Sequence, residues 1–136
     1  MMELSPEDEL LLLNEKLLES IDANDYETYT ELCDVSLTAF EPEAMGQLVE
    51  GMPFHGFYLM REKGDAMKQS TICSPRVRML GEDAAVVTFV RLSQKSSPQT
   101  GDSVASCEET RVWQRVNGQW KHVHFHRSFA GSVELG

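Results

Sequence analysis

A chain of 136 residues, 41% hydrophobic and 25% charged, has the length and composition of one soluble domain with its own core, needing no metal or disulfide to hold it. No apolar run approaches the ~20 residues of a membrane helix, and residues 10–13, the nearest to one, follow Ser5-Pro6-Glu7-Asp8-Glu9 rather than a basic region, which excludes a signal peptide. The net charge of −10 is uneven: residues 1–50 carry fourteen acids against the single base Lys16, and residues 51–136 eight acids against eleven bases. Such a chain repels nucleic acid, and its acidic half can attract the basic half of a second copy; alternatively, the acids do no more than solvate two helices. Cys33, Cys73 and Cys107 are odd in number and widely spaced, with no CxxC pair, so they read as reduced thiols of a cytoplasmic protein.

Ser5-Pro6-Glu7-Asp8 is a helix start, with a capping hydroxyl, proline at the first helical position and acids at the positive end of the dipole. Leu10, Leu13, Leu17 and Ile21, widened by Leu11 and Leu18, predict an amphipathic helix over residues 6–23, and Leu12 lies off its stripe. Asn24-Asp25 caps a short second helix carrying Tyr26, Tyr29, Leu32 and Cys33, ended by Asp34. Residues 37–41 read as a strand stopped by Pro42, and Pro53 opens a third short helix with His55 on a different side from Phe54, Phe57 and Tyr58. The second half changes period. Residues 69–73 and 76–80 are short strand-like runs, residues 84–92 a valine-rich central strand, and residues 95–105 a polar surface loop. Residues 108–116 and 119–128 flank Asn117-Gly118, a strong hairpin signal. Helices followed by an antiparallel meander make one α+β domain over residues 1–136, with a curved sheet that the long helix covers and flexible ends at about 1–5 and 132–136.

Four stretches carry a resemblance: TAFEPEAMGQLVEG at residues 38–51, FHGFY at 54–58, EETRVW at 108–113 and GQWKHVHFHRS at 118–128. In this order and spacing they resemble the association (hub) domain of calcium/calmodulin-dependent protein kinase II, over residues 8–131. The resemblance implies a nuclear transport factor 2-like cone, with a long N-terminal helix packed in a curved antiparallel sheet. It also implies dimers that stack into a closed ring, which in that family clusters kinase domains. The expected partners are copies of this chain and hub-bearing kinase subunits, with no nucleic acid and no membrane. No kinase domain, autoinhibitory segment or calmodulin-binding basic helix is present, so the chain itself is not expected to be an enzyme; its initial methionine suits a stand-alone protein or a piece of a longer one. Residues 59–68, LMREKGDAMK, depart from the family pattern, which bears on ring contacts or the mouth of the pocket.

Arg91, Arg111 and Arg127 each sit in a hub-like motif, and the resemblance implies that they reach the interior of the cone, with His55 at the same cavity. Arginine cannot shed its proton and is costly to bury alone, so three of them need carboxylates or form a site for a small carboxylate or an acidic segment. Glu41, Glu108 and Glu109 are candidate internal partners. A two-residue turn at Asn117-Gly118 pairs Arg111 with His124 and sends Arg127 to the opposite face; a three-residue loop starting at Val116 puts Arg111 and Arg127 on one face. Residues alone do not choose, and the resemblance favours the bulged loop. His122, His124 and His126 alternate, which places them on one face, away from the arginines. Without a carboxylate or cysteine to complete a ligand set they suggest a pH-sensitive subunit contact together with Trp120 and Leu12, and no metal or other cofactor. The alternative function is a small-molecule-binding or enzymatic cone of isomerase or dehydratase type, for which His55 is the plausible base.

Overall fold

The computed structural model describes residues 3–131 and 133–135. The expectation of flexible ends therefore falls partly on residues 1, 2, 132 and 136, outside the described residues; Ser5 is the N-cap of the first helix, its Oγ accepting from the Asp8 N–H at 3.1 Å. Helix α1 (Pro6–Asp22) buries Leu10, Asn14, Leu17, Leu18 and Ser20 and leaves Leu12 exposed. Helix α2 (Tyr26–Leu32) is capped by Asp25, whose carboxylate accepts from the backbone N–H and hydroxyl of Thr28; the Thr28 hydroxyl above all holds that carboxyl below its ordinary range. α2 ends at Leu32 rather than Asp34, because Cys33 already starts strand β1 (Cys33–Phe40). A 3-10 turn (Pro42–Ala44), strand β2 (Val49–Glu50) and helix α3 (Pro53–Leu59) follow.

The remaining elements are strands β3 (Met67–Met79), β4 (Ala84–Ser97), β5 (Gly101–Val116) and β6 (Gln119–Phe129). Two expectations are corrected here. The two short runs at 69–80 are one edge strand, interrupted by a bulge at Ser74-Pro75, where Ser74 takes φ 50° and proline has no N–H to give to the ladder. The loop expected over 95–105 is the far end of the β4–β5 hairpin, paired out to Ser97 and Gly101. Its strands carry no apolar alternation because they project past the core, so neither face has anything to bury.

The strand order is β2-β1-β6-β5-β4-β3. The sheet is mixed rather than antiparallel, since β1 pairs with β6 in parallel. That pairing follows from connectivity: the chain runs β1, crosses through the 3-10 turn, β2 and α3, builds β3 to β6, and returns beside β1. α1 lies against the inner face, where Leu10, Leu17 and Leu18 join Ala85, Val87, Phe89, Trp113, Trp120 and Phe125 in the core. Asn14 fixes the helix to the sheet by accepting from the Trp113 indole N–H at 3.4 Å.

The β5–β6 turn contains two residues, Asn117 (φ 52°) and Gly118 (φ 79°), with Val116 opposite Gln119. A side chain added at Gly118 would meet nothing within 4 Å, so only the left-handed backbone opposes it. Gly118→Ala is therefore expected to cost about 1 kcal/mol, read as a lower urea midpoint with unchanged m-value.

Candidate functional site

The register that places the site is set inside β6, not at the turn. Trp113 pairs with His122, but Val112 pairs with His124, so Val123 is left over as a bulge. The three-residue loop of the sequence reading is corrected: the turn is tight, and the one-residue shift comes at Val123, after four paired positions of β6. Above the bulge Arg111 pairs with Phe125 and Glu109 with Arg127, on one face. Below it the phase reverses. His122 and Trp120 turn into the core, the former fully buried and the latter nearly so, and neither lies on the surface. The expectation of three histidines on one outer face holds for two of them: His126 is exposed, and His124, which shares a 2.8 Å contact with the Thr38 hydroxyl, is half-buried. Burial, then the neighbouring His126, keeps His124 below the ordinary imidazole range.

Inward positions of β4, β5 and β6 line a cleft of about 1010 Å³ that includes Tyr29, Glu41, His55, Arg91, Arg111 and Arg127. Arg91 donates from Nε to the Ser70 hydroxyl at 2.7 Å, from Nη2 to Asp22 at 2.9 Å and from Nη1 to Glu109 at 3.4 Å. Arg111 donates from Nε to Glu109 Oε1 at 2.8 Å, keeps Nη2 2.6 Å from the same oxygen as an ion pair, and lies 4.4 Å over the Phe125 ring. Burial alone pushes the Glu109 carboxyl up, but the Arg111 and Arg91 guanidiniums together outweigh it and hold it below its ordinary value. Arg111 Nη1 also meets His122 Nε2 at 3.4 Å. Since guanidinium only donates, Nε2 accepts and the His122 proton sits on Nδ1, directed at Cys33 Sγ 3.4 Å away. Burial, and after it the Arg111 charge, keeps His122 neutral, and burial pushes the Cys33 thiol up to about 12. Arg127 lies at the mouth, with Nη2 on both carboxylate oxygens of Glu43 and Nη1 3.8 Å from Cys107 Sγ.

His55 is buried, tilted against Tyr29 and Phe125, with Nδ1 3.9 Å from Glu41 Oε2 and, among the described residues, no partner for Nε2. Burial followed by the Arg111 charge brings its pKa down to about 4. Burial, reinforced by repulsion from Glu43, pushes the Glu41 carboxyl up to about 7 against the pull of Arg127 and Arg111. The cleft is thus charge-compensated: Asp22, Glu109 and Glu43 answer the three arginines. Glu108 faces outward, exposed. Asp22 was missed in the sequence although it left a signal, an acid four residues after Leu18 on the buried stripe; Glu43 left none, lying in an aperiodic loop. The departing segment at 59–68 contributes both bases and acids to the lining of the cleft, Arg61, Lys63 and Lys68 with Glu62 and Asp65, and the Arg61 carbonyl accepts from Asn24 Nδ2 at 3.1 Å.

A long helix laid in a curved mixed sheet, with a polar cleft at its open end, is the nuclear transport factor 2-like fold. An NTF2-like superfamily protein from Salmonella enterica superposes with a TM-score of 0.77 at 23% identity, covering 94% of this chain and 93% of that one, a likeness of fold alone. The family is narrower than the fold. The model of the calcium/calmodulin dependent protein kinase II association domain matches residues 6–131. The chain is 44% identical over 129 residues to calcium/calmodulin-dependent protein kinase type II subunit delta of Oryctolagus cuniculus, covering 93% of this chain and 24% of that protein. The Chlamydamonas reinhardtii kinase II hub homology domain superposes with a TM-score of 0.87 at 41% identity, covering 94% of this chain and all of that one. The chain belongs to the calcium/calmodulin-dependent protein kinase II association-domain family, and it spans about a quarter of the length of the curated relative it matches. Among the described residues no helix is long and apolar enough to cross a membrane.

Proposed function

We infer that the chain is a homo-oligomerisation hub, which assembles with copies of itself, or with hub-bearing kinase subunits, as dimers stacked in a ring. One observation supports this most directly: the helices lie on the inner face of the sheet, and the outer face presents Val86, Val112, Thr88 and Thr110 beside Phe40, His124 and His126. An apolar and hydroxyl-bearing sheet face of this kind is suited to a second copy of itself. Exposed Leu12 on α1 and the acidic first half against the basic second half supply further complementary surface. Light scattering of the purified chain is expected to give a particle of many subunits, and Val112→Glu to give smaller species with an unchanged circular-dichroism spectrum. A monomeric wild type at tens of micromolar would sink the hub.

The second part of the reading is that the cleft accepts a small carboxylate or an acidic segment. Its support is three inward arginines at one cleft with the unpartnered His55 Nε2. For an isomerase-type reaction His55, with a pKa of about 4, is a weak base at neutral pH, and Glu41 beside it, at about 7, is the better suited one.

A further inference from the structure

The three arginines differ in what holds them. Arg91 uses Nε, Nη1 and Nη2 on partners of its own chain, and Arg111 does the same with Glu109 and His122; their side chains are 6% and 1% exposed, and that of Glu109 is 0% exposed. Neither can leave its partner for a ligand without stranding a buried charge. Arg127 is different. Its side chain is 16% exposed, and its carboxylate partner Glu43 is 32% exposed, on the turn between β1 and β2. That turn leaves the 3-10 segment through two left-handed residues, Met45 (φ 54°) and Gly46 (φ 89°), and a side chain added at Gly46 would touch nothing. A carboxylate released from there enters water rather than a core, at small cost.

We propose that Glu43 is a tethered carboxylate that occupies the Arg127 end of the cleft, and that an incoming small monocarboxylate takes its place and frees the 42–46 turn. The proposal rests on the carboxylate reading of the cleft and adds its regulation. Arg127 is the exchangeable anion-binding group, while Arg91 and Arg111 keep the site in shape. Tethering makes Glu43 a competitor at millimolar effective concentration, so the free chain binds carboxylates below their intrinsic affinity.

The test is calorimetry with butyrate, with butyramide as the uncharged control. Glu43→Gln, on an exposed turn, is expected to bind butyrate about five- to tenfold more tightly than wild type, butyramide to bind neither, and Arg127→Gln to bind weakly whether or not Glu43 is also replaced. Equal or weaker binding by Glu43→Gln, where wild type does bind, overturns the tethered competitor and leaves the carboxylate reading standing. No heat from either protein at tens of millimolar butyrate overturns both. Hydrogen exchange in wild type gives a second readout: butyrate is expected to speed exchange of the Ala44, Met45 and Gln47 amides, which donate to the Glu41, Pro42 and Ala44 carbonyls. Slowed or unchanged exchange there would contradict displacement.

Discussion

Replacing Glu109 with glutamine is expected to destabilise the fold by about 3–5 kcal/mol, the cost of removing one partner from a buried ion network. Glutamine keeps the volume, so no cavity opens. What changes is that Arg91 and Arg111, both buried, lose the anion between them. Arg91 retains Asp22 and Ser70. Arg111 retains the His122 nitrogen and the Phe125 face, neither of which carries a negative charge, and guanidinium cannot be neutralised by giving up its proton. A domain of this size has about 5–15 kcal/mol in total, so the loss is a large share of it. The measurement is the urea midpoint of Glu109→Gln against Glu108→Gln, whose side chain faces out one residue away and whose change is expected to stay within about 0.5 kcal/mol. Adding Arg111→Met to Glu109→Gln removes the stranded cation and should restore part of the loss. Equal midpoints for the two single variants would mean that the buried network contributes nothing beyond its packing.

The features legible in the sequence are those with a local cause. α1 announces itself by Ser5-Pro6 and the spacing of Leu10, Leu17 and Ile21, and the turn by Asn117-Gly118, because both depend on backbone preferences of a few adjacent residues. The family was legible too, from motifs spread along the chain, and it brought the α+β cone with it, though with an antiparallel sheet. The parallel β1–β6 pairing was not, since strands so far apart in the chain meet through the whole topology rather than through any property of either. The bulge at Val123 was hidden by the sequence itself: His122-Val-His-Phe-His126 alternates without a fault, which argues for an uninterrupted strand. The core decides otherwise. Two inward sets, Trp120 with His122 and Phe125 with Arg127, are both accommodated only if one residue is dropped from the alternation. That single shift moved two residues expected at a subunit contact into the interior, and gave Arg111 the imidazole it leans on. The carboxylates were half legible. Glu109 follows from strand parity with Arg111, whereas Glu43 meets Arg127 only through tertiary folding of an aperiodic loop.

Glu41→Gln should act in the opposite direction from Glu109→Gln, and its effect should depend on pH. The folded-state pKa of Glu41 is about 7, against 4.5 for the free side chain. A carboxyl that holds its proton more tightly when folded adds no penalty below pH 4.5; as pH rises through that value toward 7, stability is lost. Glutamine mimics the protonated form at every pH. The variant is therefore expected to be more stable than wild type by about 2–3 kcal/mol at pH 8, with the gain shrinking to near zero by pH 4.5. His55 pulls the other way. Its pKa of about 4 lies below the ordinary 6.5, so the folded state resists the proton and stability is lost as pH falls from 6.5 toward 4; His122, also held well below the ordinary imidazole range by burial, adds to that loss. In wild type Glu41 and His55, 3.9 Å apart, oppose each other between about pH 4.5 and 6.5, and the variant removes one side of that balance. Its stability should fall steeply on acidification where wild type changes little. Urea midpoints of both proteins at pH 4.5, 6 and 8 separate the cases. A difference that stays constant over that range would mean that Glu41 ionises without penalty, and the cleft beside His55 would then be wetter and more open than the packing of Tyr29, His55 and Phe125 implies.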